Sequence, residues 1–194
     1  MITGHFGVAA AAKGTQPHVP LWALMLATVW LDIVFLPLLA LGIETIENVP
    51  ETNGGYGEVI IHADWTHSLV GAVLLSVLLG LVATRPWGSR AGLVLAAVAF
   101  SHWLLDLIVH RYDMPILPGN AGGLPRLGFG LWEFPAVSIA LELALLLVGI
   151  FVYWRSARSL PSSVPGRSTT HARLISGGLL AAGLLTLGLD LLAI

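Results

Sequence analysis

The chain contains no cysteine, which excludes disulfides, thiolate metal ligands and a cysteine nucleophile. Charge is scarce as well: Lys and Arg number 9 and Asp and Glu 11 in 194 residues, 10% of the chain. No basic cluster is present to neutralise phosphates, so nucleic acid is not expected as a partner. The opening Met1-Ile-Thr-Gly-His-Phe6 lacks a cationic segment ahead of an apolar core, so no cleaved signal peptide is expected. What is abundant is apolar: 56% of residues are hydrophobic and the mean hydropathy is +0.86, well outside the range of ordinary soluble domains.

The apolar residues fall in long runs, which predicts an all-α, polytopic helical membrane protein forming one domain over residues 1–194. About five transmembrane helices are expected, at about 21–43, 66–84, 91–110, 131–153 and 172–194, together with a short N-terminal helix at 4–13. In the first span, Asp32 falls near the middle and Pro37 is expected to kink the helix. An acidic loop follows over 44–64, with a turn at Asn53-Gly-Gly. The short link Arg85-Pro-Trp-Gly-Ser-Arg90 should return the third span antiparallel to the second.

In the fourth span Glu142 is internal, with Trp132 and Trp154 as expected interfacial anchors. Residues 155–170 read as an exposed linker. Gly178 and Ala182 are expected to allow close helix contact in the last span. Placing Lys13, Arg85, Arg90, Arg155, Arg158, Arg167 and Arg173 on one side leaves only Arg111 and Arg126 opposite. The positive-inside rule then puts the N-terminus in the cytoplasm and the 44–64 and 111–130 loops outside.

Against that background one stretch stands out, Phe100-Ser-His-Trp-Leu-Leu-Asp-Leu-Ile-Val-His110. Four-residue spacing places His102, Asp106 and His110 on one helix face. Ionisable groups in hydrocarbon cost several kcal/mol each, so a stripe of them calls for a compensating partner. Imidazoles alternating with a carboxylate suit a borderline divalent cation. Under the expected topology His62 and His67 lie at the outer mouth of the second span, and Asp32 lies near mid-depth on the first. All can therefore meet in the outer half of one bundle. His5 joins them only if the segment 4–13 re-enters the membrane as a half-helix, which is tolerated where protein buries it.

Each residue also has a plainer reading. His62 could be a loop histidine, and His67 a helix-end residue beside Thr66 as N-cap. Asp106 could merely neutralise Arg111, and His110 could be solvated at the interface. Asp64 and Asp113 read as loop residues, Trp103 as packing, and Asp190 as a carboxylate near a helix end. The combination weighs more than its members, because coincidence does not readily bring this many ionisable groups to one depth.

The block His62-Ala-Asp-Trp-Thr-His67-Ser68-Leu69, followed after a span by Phe100-Ser-His102-Trp-Leu-Leu-Asp106, resembles the predicted membrane-bound metal-dependent hydrolases of bacteria, also described as LexA-associated inner-membrane putative hydrolases. That family's pattern is an N-terminal His, an Asp in the first long helix, His-x-x-x-[Ser/Thr]-His-Ser, and Ser-His-x-x-x-Asp. His5, Asp32, His62, His67, His102 and Asp106 match it in order, over about residues 1–155. The family's Pro-Asp-x-Asp cluster is here Trp30-Leu-Asp32-Ile, one carboxylate fewer. The order of ligands is also similar to that of zinc-dependent phospholipases C and related nucleases, which points to phosphoesters.

The resemblance implies a hydrolase in the bacterial inner membrane, acting on a phosphoester or other ester of a small molecule or lipid. Its divalent cofactor would be Zn²⁺ first and Mn²⁺ second. The residues expected to hold it are His5, Asp32, His62, His67, His102 and Asp106, with His110 or Glu142 as catalytic base or ligand-orienting group. The rivals are a metal-ion or proton transporter using the same cluster, a bis-histidine haem protein, for which carboxylates beside the histidines are not needed, and a structural membrane protein.

Overall fold

The computed structural model describes residues 1–52, 55–159 and 169–192. Most of the 155–170 linker and the Asn53 end of the expected turn lie outside the described residues. The described residues are mostly helical, in the order α1 (Ile2–Thr15), α2 (Leu21–Thr28), α3 (Trp30–Ala40), α4 (Leu69–Val109), α5 (Pro135–Ser159) and α6 (Thr169–Leu192). One antiparallel ribbon interrupts it, β1 (Thr45–Asn48) against β2 (Val59–His62), with Thr45 opposite His62. Among the described residues three helices, α4, α5 and α6, are long and apolar enough to cross a membrane, and the bent pair α2–α3 raises the number to four if it acts as one span. Their outward faces are aliphatic, with Leu74, Leu81, Leu93, Leu147, Phe151 and Leu185 all exposed. Soluble proteins avoid so large an apolar surface.

The 41-residue helix α4 is a hairpin. Gly88 breaks it at φ 81°, ψ 167°, and the halves before and after fold back on each other. Their backbones touch near the turn, where a Cβ on Gly92 would stand 2.5 Å from the Gly80 carbonyl oxygen. Near the open end, Trp103 Nε1 donates to the His67 carbonyl at 2.8 Å. The expected antiparallel link at Arg85–Arg90 thus takes its turn from one left-handed glycine, a conformation that costs glycine little.

The first span bends elsewhere than at the expected proline. Pro37 lies inside α3, and the 50° bend falls at Val29, between α2 and α3. The carbonyl of Thr28, at the end of α2, is taken by His102 Nδ1 at 2.7 Å. Asp32 consequently occupies the first turn of α3, where free N–H groups and the helix dipole favour a carboxylate. The second span also starts later than Thr66: Ser68 is the N-cap of α4 and accepts from Gly71 N at 3.0 Å.

Helix α1 lies against α5, running the same way. Gly4 meets Leu145, Gly7 meets Gly149, and Gly14 meets Tyr153. Ser156 Oγ adds a hydrogen bond to the Gly14 carbonyl. A side chain on either partner of the Gly7–Gly149 contact would collide with backbone, since a Cβ on Gly149 would stand 1.9 Å from Gly7 O. Absence of side chains lets these axes approach closely. On α6 the approach is made by Gly183 against Leu146, with Leu179 and Leu187 buried on the same face. The expected contact through Gly178 is not formed, because Gly178 lies on the outward face with nothing within 4 Å of an added Cβ.

Gly149→Val should therefore lower the free energy of unfolding in detergent by about 1–3 kcal/mol, the usual cost of overpacking. Gly188→Val, where an added Cβ meets nothing within 4 Å, should stay within about 0.5 kcal/mol of wild type. Thermal or denaturant unfolding of the two variants checks this.

Candidate metal centre

Four histidines and two aspartates from α1, α3, the second half of α4 and the turn before α4 meet at the open end of the hairpin. Ligand atoms of His5, His102 and Asp106 all lie within 4.8 Å of one another, as do those of Asp32, His67 and His102. His102 belongs to both groups. Asp106 Oδ2 is 3.0 Å from His102 Nε2, 3.7 Å from His67 Nε2 and 3.8 Å from His110 Nε2. Its other oxygen, Oδ1, is 3.2 Å from His5 Nε2. Asp32 Oδ1 is 3.5 Å from His102 Nε2 and 3.6 Å from His67 Nε2. The His5 ring stacks on His102 with centroids 3.9 Å apart.

The outer nitrogens of three of these rings are committed elsewhere. His102 Nδ1 faces the Thr28 carbonyl, which can only accept. His110 Nδ1 is 2.7 Å from Asp113 Oδ1. His67 Nδ1 is 2.8 Å from Thr66 Oγ1, whose hydroxyl in turn lies 3.0 and 3.1 Å from the two oxygens of the buried Glu44. A carboxylate accepts only, so Thr66 donates to Glu44 and accepts from His67. Each neutral ring therefore carries its hydrogen on Nδ1 and turns the lone pair of Nε2 inward. This is the arrangement that metal-binding histidines adopt, with the far N–H held by a carbonyl or carboxylate.

Protonation alone leaves the cluster unsatisfied. A proton on His102 Nε2 could serve Asp106 Oδ2. A second proton, on His5 Nε2, could face Asp106 Oδ1 at 3.2 Å, but His5 Nδ1 would still be buried without a hydrogen-bond partner. Buried polar atoms of native proteins rarely stay unpaired, and each orphan costs about 1–3 kcal/mol. Two inward lone pairs, His67 Nε2 and His102 Nε2, also face each other at 3.2 Å. A cation among these atoms would answer His5 Nε2, Asp106 Oδ1 and the two facing lone pairs together, so the donor set fits a divalent metal.

His62 does not join the cluster. It pairs with Glu47 at 3.7 Å and its side chain is 37% exposed. The reason is the alternation of β2: Val59 and Ile61 line the cavity, which turns His62 to the other face. Glu142 is fully buried on α5, but both its oxygens are engaged, Oε2 by Gly4 N at 3.2 Å and Oε1 by Tyr56 Oη at 2.5 Å. It thereby pins the start of α1, one residue before His5. His110 is buried rather than solvated. Arg111 leaves Asp106 alone and donates to the carbonyls of Gly57 and Trp132. Trp132, expected at the interface, is buried with its ring 4.6 Å from that of His110.

The chain matches no protein-family model, no curated protein and no solved structure.

Three supporting residues escape the sequence reading. Asp113 looks like a loop residue, although His110-x-x-Asp113 spacing just past a helix end was available as a signal. Glu44 is one acid among several in its loop, and nothing local distinguishes it. Tyr56 has no marker at all. Outside the helices, burial pushes the Asp113 carboxyl up, but hydrogen bonds from His110 and the Ile61 amide outweigh this and hold it below the usual carboxylate range. Arg126 is raised by its hydrogen bonds to Asp64, at 2.7 and 3.0 Å, and this pair ties the 111–130 loop to the turn before α4.

Asp113→Asn and Thr66→Val should each weaken divalent-metal affinity about 10- to 100-fold, the usual penalty for losing a partner behind a ligating imidazole. Competition with a chromophoric chelator measures it, and Asp64→Asn, which touches no histidine of the cluster, should leave affinity unchanged.

Proposed function

We propose that this chain is a metal-dependent hydrolase of the bacterial inner membrane, acting on ester or phosphoester bonds, as the family resemblance implies. The observation that carries the reading is the inward convergence of Nε2 lone pairs from His67, His102 and His110 on Asp106, each ring fixed from behind, at the wall of a cavity. His5, Asp32, His67, His102 and Asp106 would hold one or two divalent ions, Zn²⁺ by preference for mixed nitrogen and oxygen donors and Mn²⁺ next. Bound there, such an ion would lower the pKa of water to near neutrality and polarise the scissile group.

The protein's own contribution is orientation and proton handling. His110 lines the cavity and has Asp113 behind it, so it is placed to accept a proton from a water and return it to a leaving oxygen. Glu142 acts on position instead, by holding Gly4 and hence His5. Counting the two halves of α4 separately and α2–α3 as one gives five crossings with α5 and α6. In that arrangement α1 is the buried half-helix and the centre lies in the outer half of the bilayer.

One observation favours a second reading, a metal-ion transporter: α2–α3 is broken at the depth of the site, as in many transport proteins. Against it, the bundle beneath the cluster is sealed by Ala27, Leu95, Val98 and Ala99, with Leu24 and Ala83 beyond. A pathway needs polar groups through the full depth.

Metal analysis of the detergent-purified protein should find a divalent ion that His102→Ala and Asp106→Ala lose. His110→Gln should keep the metal yet lower turnover of ester substrates about 10²- to 10⁴-fold, the typical contribution of a general base. Metal retained without turnover on any ester, together with uptake into liposomes, would instead support transport.

A further inference from the structure

Resting on the hydrolase reading, we infer that the substrate is a carboxylic ester of a long acyl chain, and that it reaches the centre sideways from the bilayer through a mouth between α3 and β1. A cavity of about 630 Å³ opens over the cluster. Its remaining wall is largely apolar, built by Phe35, Leu36, Ile46, Val59, Ile61 and Trp132. Ligand and mouth share one helix face: Asp32 and Leu36 are four residues apart on α3, about 6 Å along the axis at the usual rise. Phe35 is buried inside, while Leu36 and Ile46 line the cavity and are also exposed, at 60% and 45%.

The surface outside the mouth says what medium it opens into. Beyond the end of α3 the chain continues with Leu41 and Ile43, exposed at 72% and 53%. Leu36, Leu41, Ile43 and Ile46 thus form an apolar border that hydrocarbon covers without cost and water does not. An acyl chain can pass between bilayer and cavity without leaving an apolar environment.

Charge selects the head of the substrate. Among the described residues no lysine or arginine side chain lines the cavity, whereas Asp32, Asp106 and Asp190 do. The nearby Arg111 is spent on the carbonyls of Gly57 and Trp132 and on Glu133 at 3.8 Å. Apart from the proposed ion, its imidazoles and the Met1 end of the chain, a nucleotide or other polyanion would find no lysine or arginine here, and sites for such anions normally supply one. A neutral ester linkage needs none. Its hydrolysis is balanced by water alone: hydroxyl goes to the acyl carbon, the bond from that carbon to the alkoxy oxygen breaks, and the proton ends on the alcohol. The products are a fatty acid and an alcohol.

The test uses the full chain in phosphatidylcholine nanodiscs and a monoacylglycerol carrying a mid-chain diazirine, with metal-loaded and metal-stripped samples irradiated in parallel and mapped by mass spectrometry. The expected result is labelling of interior residues Phe35, Val59 and Ile61, lost in Leu36→Trp with metal content unchanged. Ile46→Trp, on the opposite lip, provides a second block should the first variant fold poorly. Labelling confined to outward residues such as Leu74 and Leu93, or interior labelling that both tryptophans leave intact, overturns the proposal. Because labelling needs no metal, interior labelling of a protein that takes up no metal and hydrolyses no ester keeps the acyl seat while the hydrolase reading falls. Metal binding with turnover of soluble esters but no interior label does the reverse.

Discussion

Ionisable side chains buried among hydrocarbon must be compensated, and this constraint organises the molecule. His5, His102, His110, Asp106 and Glu142 are almost fully buried, where an isolated charge or unpaired polar atom is costly. The chain meets most of the demand internally. Thr28 O, Thr66 and Asp113 engage the outer nitrogens of three imidazoles, Glu44 accepts from Thr66 in turn, and Gly4 N and Tyr56 engage Glu142. Among the described ionisable side chains, the buried atoms left without a hydrogen-bond partner lie together, on His5 and Asp106 beside the inward nitrogens. A residual need for positive charge, bounded by fixed lone pairs, is the physical content of the proposed centre.

The backbone serves that end by close approach. The Gly7–Gly149 contact brings α1 deep enough for His5 to stack on His102. The Gly80–Gly92 contact keeps the two halves of α4 together, so that His67 and His102 face each other 35 positions apart in the chain. The break at Val29 releases the Thr28 carbonyl to His102 and starts a new helix just before Asp32. Each departure from a straight span thus places or orients one member of the cluster, and irregular backbone in a membrane is tolerated where it is buried in protein.

The helical class, the hairpin and the face shared by His102, Asp106 and His110 were legible in the sequence because they depend on local periodicity. That a short N-terminal helix must be buried in the protein was legible as a condition of His5 reaching the others. Features set by tertiary contact were not. Pro37 is the residue expected to bend α2–α3, yet the bend follows a carbonyl captured by a histidine 74 positions away. His62 belongs to the same motif as His67, but a two-residue period in β2 turns it outward, and no helical pattern announces a strand. Trp132 looked like an interfacial anchor because anchors and buried rings share a composition. Asp113 and Glu44 support the histidines through contacts that only the fold creates.

The central claim is that a divalent ion is held by several imidazoles of this cluster at once. X-ray absorption at the edge of whichever metal co-purifies with the detergent-solubilised protein tests it most directly. The expected spectrum has a first shell of nitrogen and oxygen only, at about 2.0–2.2 Å for zinc, with the outer-shell scattering characteristic of two or more histidines. A spectrum of oxygen neighbours without imidazole scattering, or a protein that takes up no metal, would contradict the account.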